Sequence, residues 1–170
     1  GDYLMTRPLR GPLNKTTTYG FDALNRNTTI VYGSATTPNV TYGLDANGNR
    51  TSMADGTGTT SYTYDEMNRL LSVTSPGAIT VSYRYDVGSN RTKITYPDTT
   101  AVTYTYDKAN RLSTVVDWAS RTTSYQYNTD SSVSVVSNVN NTSNNYSYDN
   151  AGRLTQVWNK YRETDTVTRD

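Results

Sequence analysis

The sequence predicts an all-β fold, a curled antiparallel meander of about fourteen strands made by copying one β-hairpin seven times. Three observations carry this. Tyrosine recurs at a fixed pitch, at Tyr19, Tyr42, Tyr62, Tyr83, Tyr104, Tyr125 and Tyr146, with steps of 23, then 20, then 21 four times running. Three residues after each stands Asp22, Asp45, Asp65, Asp86, Asp107, Asn128 or Asp149. The residues leading into each Asp alternate apolar and polar with period two, as a half-buried strand requires.

Each element of the copied unit can be justified in chain order. The run Ile79-Thr80-Val81-Ser82-Tyr83-Arg84-Tyr85 is rich in β-branched and aromatic residues and reads as a strand. Counting from the repeat Asp, position −1 is apolar in every copy (Phe21, Leu44, Tyr64, Tyr85, Tyr106, Tyr127, Tyr148), and position −2 is never a large apolar residue. Positions −3 and −1 therefore share one face. A turn follows the Asp, with Arg at one of two spacings. It stands four residues on in Asp22/Arg26, Asp65/Arg69, Asp107/Arg111 and Asp149/Arg153, and five on in Asp45/Arg50 and Asp86/Arg91. The sixth copy has Ser132 and Val133 in these places. This predicts alternating three- and four-residue loops and a genetic unit of two hairpins, about 42 residues long. Asn25, Asn68, Asn110 and Gly152 end the short loops and tolerate the left-handed conformation that such turns need. The long turns, Ala46 to Asn49 and Val87 to Asn90, suit four-residue loops.

The second strand carries an apolar residue eight positions after the repeat Asp: Ile30, Met53, Val73, Ile94, Val115, Val136 or Val157. After a short turn Leu112 and Val115 have the wrong parity for one face, so a one-residue bulge is expected between Leu70 and Val73, Leu112 and Val115, and Leu154 and Val157. After a long turn Arg91, Thr92, Ile94 and Tyr96 keep simple alternation. Ser75-Pro76-Gly77, Tyr96-Pro97-Asp98, Asn140-Asn141 and Asp55 to Gly58 read as return turns. The repeats fill residues 15–159 as one domain. Residues 1–14, with Pro8 and Pro12, form a lead-in, and residues 160–170 a tail or truncated eighth repeat. The opening Gly1-Asp2, in place of Met, suggests a chain that is processed, tagged or excised from something longer.

Composition narrows the chemistry. Sixteen Lys and Arg face fifteen Asp and Glu, a net charge of +1 that offers no pull toward nucleic acid or anionic membranes. There is no Cys, hence no disulfide and no thiolate zinc site, and no His, the commonest metal ligand and general base. No cofactor is implied, and no apolar run approaches the ~20 residues of a membrane helix. Leu, Ile, Val and Phe together make only 27 residues, so sixteen tyrosines must supply the apolar surface. A largely tyrosine core follows, with hydroxyls reaching water or partners.

The motif Tyr-x-Tyr-Asp-x3-Arg-Leu, shown by Tyr62 to Leu70, Tyr104 to Leu112 and Tyr146 to Leu154, resembles the YD repeat of the RHS family over about residues 19–158. That resemblance implies a long hairpin ribbon spiralling into a hollow shell. Such shells enclose toxin domains in bacterial polymorphic toxins and in the C component of Tc toxins, and form the extracellular barrel of teneurins. It implies a secreted or cell-surface, non-enzymatic protein whose partners are further YD repeats, its own sheet edges, a toxin cargo or carbohydrate. This chain shows no DPxGL-like closing segment, and Asn replaces the usual Gly before Arg in most copies.

Other readings of the same residues are weaker. The Asp/Arg pairs flank turns and serve as hairpin clasps before they serve as binding groups. Asp45-Ala46-Asn47-Gly48-Asn49 resembles the start of a calcium loop, but position 56 is Gly56 rather than the closing Glu. Stacked tyrosines could form a sugar platform, yet their phase-locked spacing favours a core. Trp118 and Trp158 fall outside the repeat pattern near return turns and are the better candidates for a ligand contact. The acids are spread one per repeat, which does not suit a pair of hydrolytic carboxylates, and the Asn-x-Ser/Thr sequons follow from composition.

Overall fold

The computed structural model describes residues 9–10, 16–34 and 36–161; the remainder of the lead-in and of the tail lies outside the described residues. Contacts divide the chain into two compact units, Gly1–Tyr83 and Arg84–Asp170. The first holds β1 (Leu9–Arg10), β2 (Thr16–Phe21), β3 (Asn27–Tyr32), β4 (Val40–Leu44), β5 (Arg50–Asp55), β6 (Gly58–Tyr64), β7 (Leu70–Ser75) and most of β8 (Ile79–Tyr85). The second holds the end of β8 and then β9 (Arg91–Thr95), β10 (Ala101–Tyr106), β11 (Leu112–Val116), β12 (Thr122–Tyr127), β13 (Val133–Ser137), β14 (Thr142–Tyr148) and β15 (Leu154–Tyr161). Within each unit the strands lie in chain order and pair antiparallel with their sequence neighbours. The seven repeats supply β2 to β15, the fourteen strands expected, and the lead-in adds β1. Lys160 and Tyr161 are the last residues of β15.

The loops correct the sequence reading. Every repeat turn is a three-residue loop, whichever Arg spacing it carries. The N–H of the repeat Asp or Asn donates to the carbonyl four residues on, as in Asp22 to Arg26, Asp45 to Asn49 and Asp86 to Asn90. The residue at +3 lies in the left-handed region in all seven turns: Asn25, Gly48, Asn68, Ser89, Asn110, Ser131 and Gly152. The expected four-residue loops at Ala46–Asn49 and Val87–Asn90 do not exist. The reason is chemical. Position +4 needs a side chain that donates to the Asp carboxylate, and Asn49 and Asn90 fill that need as Arg26 does. An Arg at +5 is therefore free for another task.

The bulges are also more general than expected. In β6–β7 the register runs Tyr62↔Val73, Thr63↔Ser72, Tyr64↔Leu70, which leaves Leu71 extra. Ser113 and Thr155 are the extra residues in β10–β11 and β14–β15, so all three expected bulges are present. The same skip occurs at Thr28, Thr51 and Ser134, in hairpins where simple alternation or no bulge was foreseen. Because every loop has one length, the second strands of these six hairpins all carry the extra residue that brings +8 back to the tyrosine face. The result is a repeated cross-strand pair of the −3 tyrosine and the +8 aliphatic residue: Tyr19↔Ile30, Tyr42↔Met53, Tyr62↔Val73, Tyr104↔Val115, Tyr125↔Val136 and Tyr146↔Val157. Aromatic–aliphatic pairs of this kind contribute ~0.2–1 kcal/mol each.

Successive hairpins pair only over the half of each strand nearer the return turn. The ladder between them ends at +7 opposite −4, as at Ser52↔Ser61, Lys93↔Thr103 and Thr114↔Ser124. Beyond that point, toward the repeat turns, the registers give no further backbone pairs between hairpins. The tyrosine face is half-buried rather than a closed core. Val102, at 8% exposure, is the most covered apolar residue described, and no described side chain is fully buried. Side chains on a sheet face are covered only by their same-face neighbours unless another layer packs over them.

Candidate functional site

Two edges and one face carry the repeated chemistry. At the repeat-turn edge, each Asp uses both oxygens. Oδ1 of Asp65 accepts from the N–H of Met67 and of Arg69, and Oδ2 accepts from Arg69 Nε at 2.7 Å. Asp22/Arg26, Asp107/Arg111 and Asp149/Arg153 are built alike. Asn49 and Asn90 replace the guanidinium at Asp45 and Asp86, and in the sixth copy Asn128 Nδ2 donates to Ser132 Oγ. The backbone N–H of Arg26, then its side chain, hold the Asp22 carboxyl below the usual carboxylate range against partial desolvation. Asp65 is held low in the same way, Asp107 chiefly by the Arg111 side chain, and Asp45 by the Asn49 amide.

The turns are also bonded to one another. Arg26 Nη1 donates to the Asp45 carbonyl at 2.8 Å, Arg111 Nη1 to Ser131 Oγ at 3.1 Å, Asn49 Nδ2 to Asn68 Oδ1 at 2.7 Å and Asn90 Nδ2 to Asn110 Oδ1 at 3.2 Å. The Arg residues at +5 cover tyrosine rings. The Arg50 guanidinium lies 4.2 Å from the Tyr42 ring centre and Arg91 lies 5.2 Å from that of Tyr104, a cation–π arrangement. Arg111, at +4, does both, bonding Asp107 and lying 4.5 Å from the Tyr127 ring centre, so the +5 residues keep the lid over a tyrosine without the carboxylate clasp. The calcium-loop resemblance at Asp45 dissolves here, since its oxygens serve the turn. Among the described residues no cluster of three or more acidic, His or Cys side chains could hold a metal.

Beyond the end of that ladder, neighbouring hairpins are joined by a group the sequence reading assigned to packing. The −1 tyrosine hydroxyl donates to the +5 carbonyl of the preceding hairpin: Tyr64 to Arg50, Tyr106 to Arg91, Tyr127 to Leu112 and Tyr148 to Val133, at 2.7–3.0 Å. Partial burial raises the pKa of Tyr64, Tyr106 and Tyr127. The signal was present: from the third copy onward position −1 is always Tyr, although Phe21 and Leu44 show that a ring without a hydroxyl, or no ring, fits the face. The −3 tyrosines, Tyr19 through Tyr146, all stand third from the end of the first strand of their hairpin, with Tyr83 in β8.

The return-turn edge holds a further clasp. Asp117 and Arg121 form an ion pair at 2.7 Å around a three-residue loop whose left-handed residue is Ser120. Its Asp-x3-Arg spacing matches the repeat turns and could have revealed it. Burial pushes the Asp117 carboxyl upward, but hydrogen bonds from Arg121 hold it low overall. Trp118 sits in this turn, 59% exposed, its ring perpendicular to that of Tyr96 with centres 6.4 Å apart. Trp158, in contrast, lies not near a return turn but within β15, opposite Asn145. The bulge moves this strand's register, so Trp158 falls on the face opposite the −3 tyrosines. The structure does not bring the two tryptophans to one site.

A three-residue turn clasped by its own side chains, copied at each step and bonded to the next, defines a hairpin-repeat wall protein. A family model described as Teneurin YD-shell matches residues 22–157. The chain belongs to that family. Among solved structures, that of TcdB2-TccC3-Cdc42 superposes with a TM-score of 0.61 at 15% identity over 91% of this chain and 9% of that one. The Tc holotoxin pore of Photorhabdus luminescens, with a TccC3 variant, gives 0.70 at 16% identity over 85% and 9%. TcdB2-TccC3 without its hypervariable C-terminal region gives 0.62 at 15% over 84% and 8%. At these identities the likeness is one of fold, and the chain spans less than a tenth of the chains it matches. No curated protein matched.

Proposed function

We propose that the chain is a non-catalytic segment of a secreted or cell-surface shell wall, and that its task is to separate an enclosed volume from solvent. The observation that carries this is the step contact. The same strand register recurs between hairpins, with a tyrosine hydroxyl bridge at four steps and side-chain bonds between turns at four, so the sheet grows by similar increments. Nearest-neighbour contacts of one kind suit a wall of arbitrary length. Its partners in this reading are further hairpins of the same pattern. β15 presents the groups such a hairpin would use: the Leu154 carbonyl stands where Leu112 receives Tyr127, and the Arg153 side chain is 80% exposed, against 29% for Arg26 and Arg111. A cargo enclosed by the completed wall, such as a toxin domain, is part of the same proposal.

Tandem arrays of one, two and four copies, fused to an unfolded reporter, test the reading. X-ray scattering should develop the profile of a hollow body as copies are added, and the reporter should become resistant to protease. Digestion at one rate whatever the copy number, with scattering from an extended ribbon, would overturn it.

A further inference from the structure

Tyrosine rings of the wall carry cations supplied by the chain itself, Arg50 at Tyr42, Arg91 at Tyr104 and Arg111 at Tyr127. The aromatic pair at the return-turn edge has none. Tyr96 and Trp118 stand at right angles with centres 6.4 Å apart, and no guanidinium or ammonium of the described residues lies over either ring. Together with Pro97, Asp98 and Thr100 they line a cleft of about 640 Å³, wholly within the second unit. Asp98 alone among these lining residues is charged.

The turns themselves need neither the indole nor that charge. The turn at Trp118 is closed by the Asp117 N–H on the Arg121 carbonyl and the Ser120 N–H on the Asp117 carbonyl. The equivalent position is Pro97 one repeat earlier and Val139 one repeat later, yet Trp118 is kept 59% exposed. Asp98 Oδ1 accepts from the Thr100 N–H at 3.0 Å and from Thr100 Oγ1 at 2.6 Å. Asn140 holds Thr142 in the same way with a neutral amide, at 3.3 and 2.6 Å. The Thr100 hydroxyl, then its N–H, keep the Asp98 carboxyl below the usual carboxylate range, so it is ionised at neutral pH. Asp117 is paired with Arg121, whereas Asp98 has no cationic partner among the described residues.

We propose that this cleft binds a small quaternary ammonium cation, such as choline, its methyl groups against Trp118 and Tyr96 and its charge beside Asp98. A cation is drawn to the negative face of an aromatic ring, and to indole most strongly. The lining selects the kind of cation. A primary ammonium brings three N–H donors and a guanidinium five, each needing an acceptor once water is displaced. Two rings, a proline and one carboxylate do not offer that many. A trimethylammonium group has no donor and carries its charge beneath an apolar methyl surface. No basic residue lines the cleft, so a phosphate attached to the cation would find no partner and would face Asp98. The free cation is therefore favoured over a zwitterionic headgroup. The proposal stands apart from the wall reading and does not depend on it.

The test is a titration of the isotope-labelled chain followed at the two indole N–H resonances. The probes are choline, its uncharged carbon analogue dimethylbutanol, ethanolamine and phosphocholine. Choline should shift the Trp118 signal saturably, with Kd on the order of 1 mM, while Trp158 stays still. The other three should bind at least about tenfold more weakly. Asp98→Asn, which can hold Thr100 as Asn140 holds Thr142, should weaken choline binding about tenfold. Trp118→Phe should bind choline weakly and Trp118→Ala not at all. The proposal fails if choline leaves Trp118 unmoved, if Trp158 shifts equally, or if Asp98→Asn or Trp118→Ala binds choline as tightly as the original chain. It fails equally if the uncharged analogue matches choline, which would make the cleft a plain apolar one, or if ethanolamine or phosphocholine does. Complete loss of choline binding in a folded Trp118→Phe also counts against the site.

Discussion

Replacing Tyr106, Tyr127 and Tyr148 together by Phe removes three hydroxyls and leaves the rings in place. Each hydroxyl donates to a carbonyl of the preceding hairpin, at 2.9, 2.7 and 3.0 Å. They act where the strand ladder has already ended, beyond Thr114↔Ser124 and Val135↔Asn145. A neutral hydrogen bond contributes about 1 kcal/mol net. The abandoned carbonyls are only partly covered, so water can reach them and the penalty for an unpaired acceptor stays small. The three sites share no partner, so their losses should add to about 3 kcal/mol. Urea unfolding followed by circular dichroism reads this directly. With a slope near ~2 kcal/mol/M, the midpoint should fall by about 1.5 M if the second unit unfolds as one. The control is the triple Tyr104, Tyr125 and Tyr146→Phe variant. Those hydroxyls make no hydrogen bond among the described residues, and their loss should cost under about 0.5 kcal/mol each. Equal midpoints for the two triple variants would refute the claim that the hydroxyls, rather than the rings, hold one hairpin to the next.

Alkali should unfold the chain in a defined window. Burial raises the phenol pKa of Tyr64, Tyr106 and Tyr127 above the ordinary 10.0, so the unfolded chain ionises first. Stability should be flat below that pH and fall as pH rises through it, with a late fraction in the phenolate absorbance titration. Acid should act with the opposite sign. Asp22, Asp45, Asp65, Asp107 and Asp149 sit below 3.8 when folded, so their contribution is complete above that pH and is lost as pH falls through their folded values. Melting temperature measured against pH should decline only below about 4. Thr99 is β-branched yet holds φ at 69°, so Thr99→Gly should stabilise by about 0.5–1 kcal/mol after the entropy cost of glycine, and a lower melting temperature would contradict that.

Much of the architecture was legible because strand chemistry has a period of two and the repeat has a period of 21, and both survive in a single sequence. The tyrosine phase, the apolar +8 position and the bulge after Leu70 follow from parity alone. The loop length did not, because Arg at +4 and Arg at +5 look like one residue displaced. Nothing in the letters shows that Asn49 can take the place of Arg26 at a carboxylate. The return-turn clasp at Asp117 and Arg121 was legible but out of phase with the main repeat. The cleft at Trp118 was visible only as an odd tryptophan, since Tyr96 reaches it from the preceding turn, 22 residues earlier in the chain.

Local pattern by itself determined that these residues make hairpins, which face each tyrosine takes and where the bends fall, because those depend on neighbours a few positions apart. What each spare donor does was decided only in three dimensions. A hydroxyl that reaches the preceding hairpin, a guanidinium that covers a ring instead of clasping a carboxylate and an indole left in water depend on partners eight to fifteen residues away along the chain, or on the absence of one.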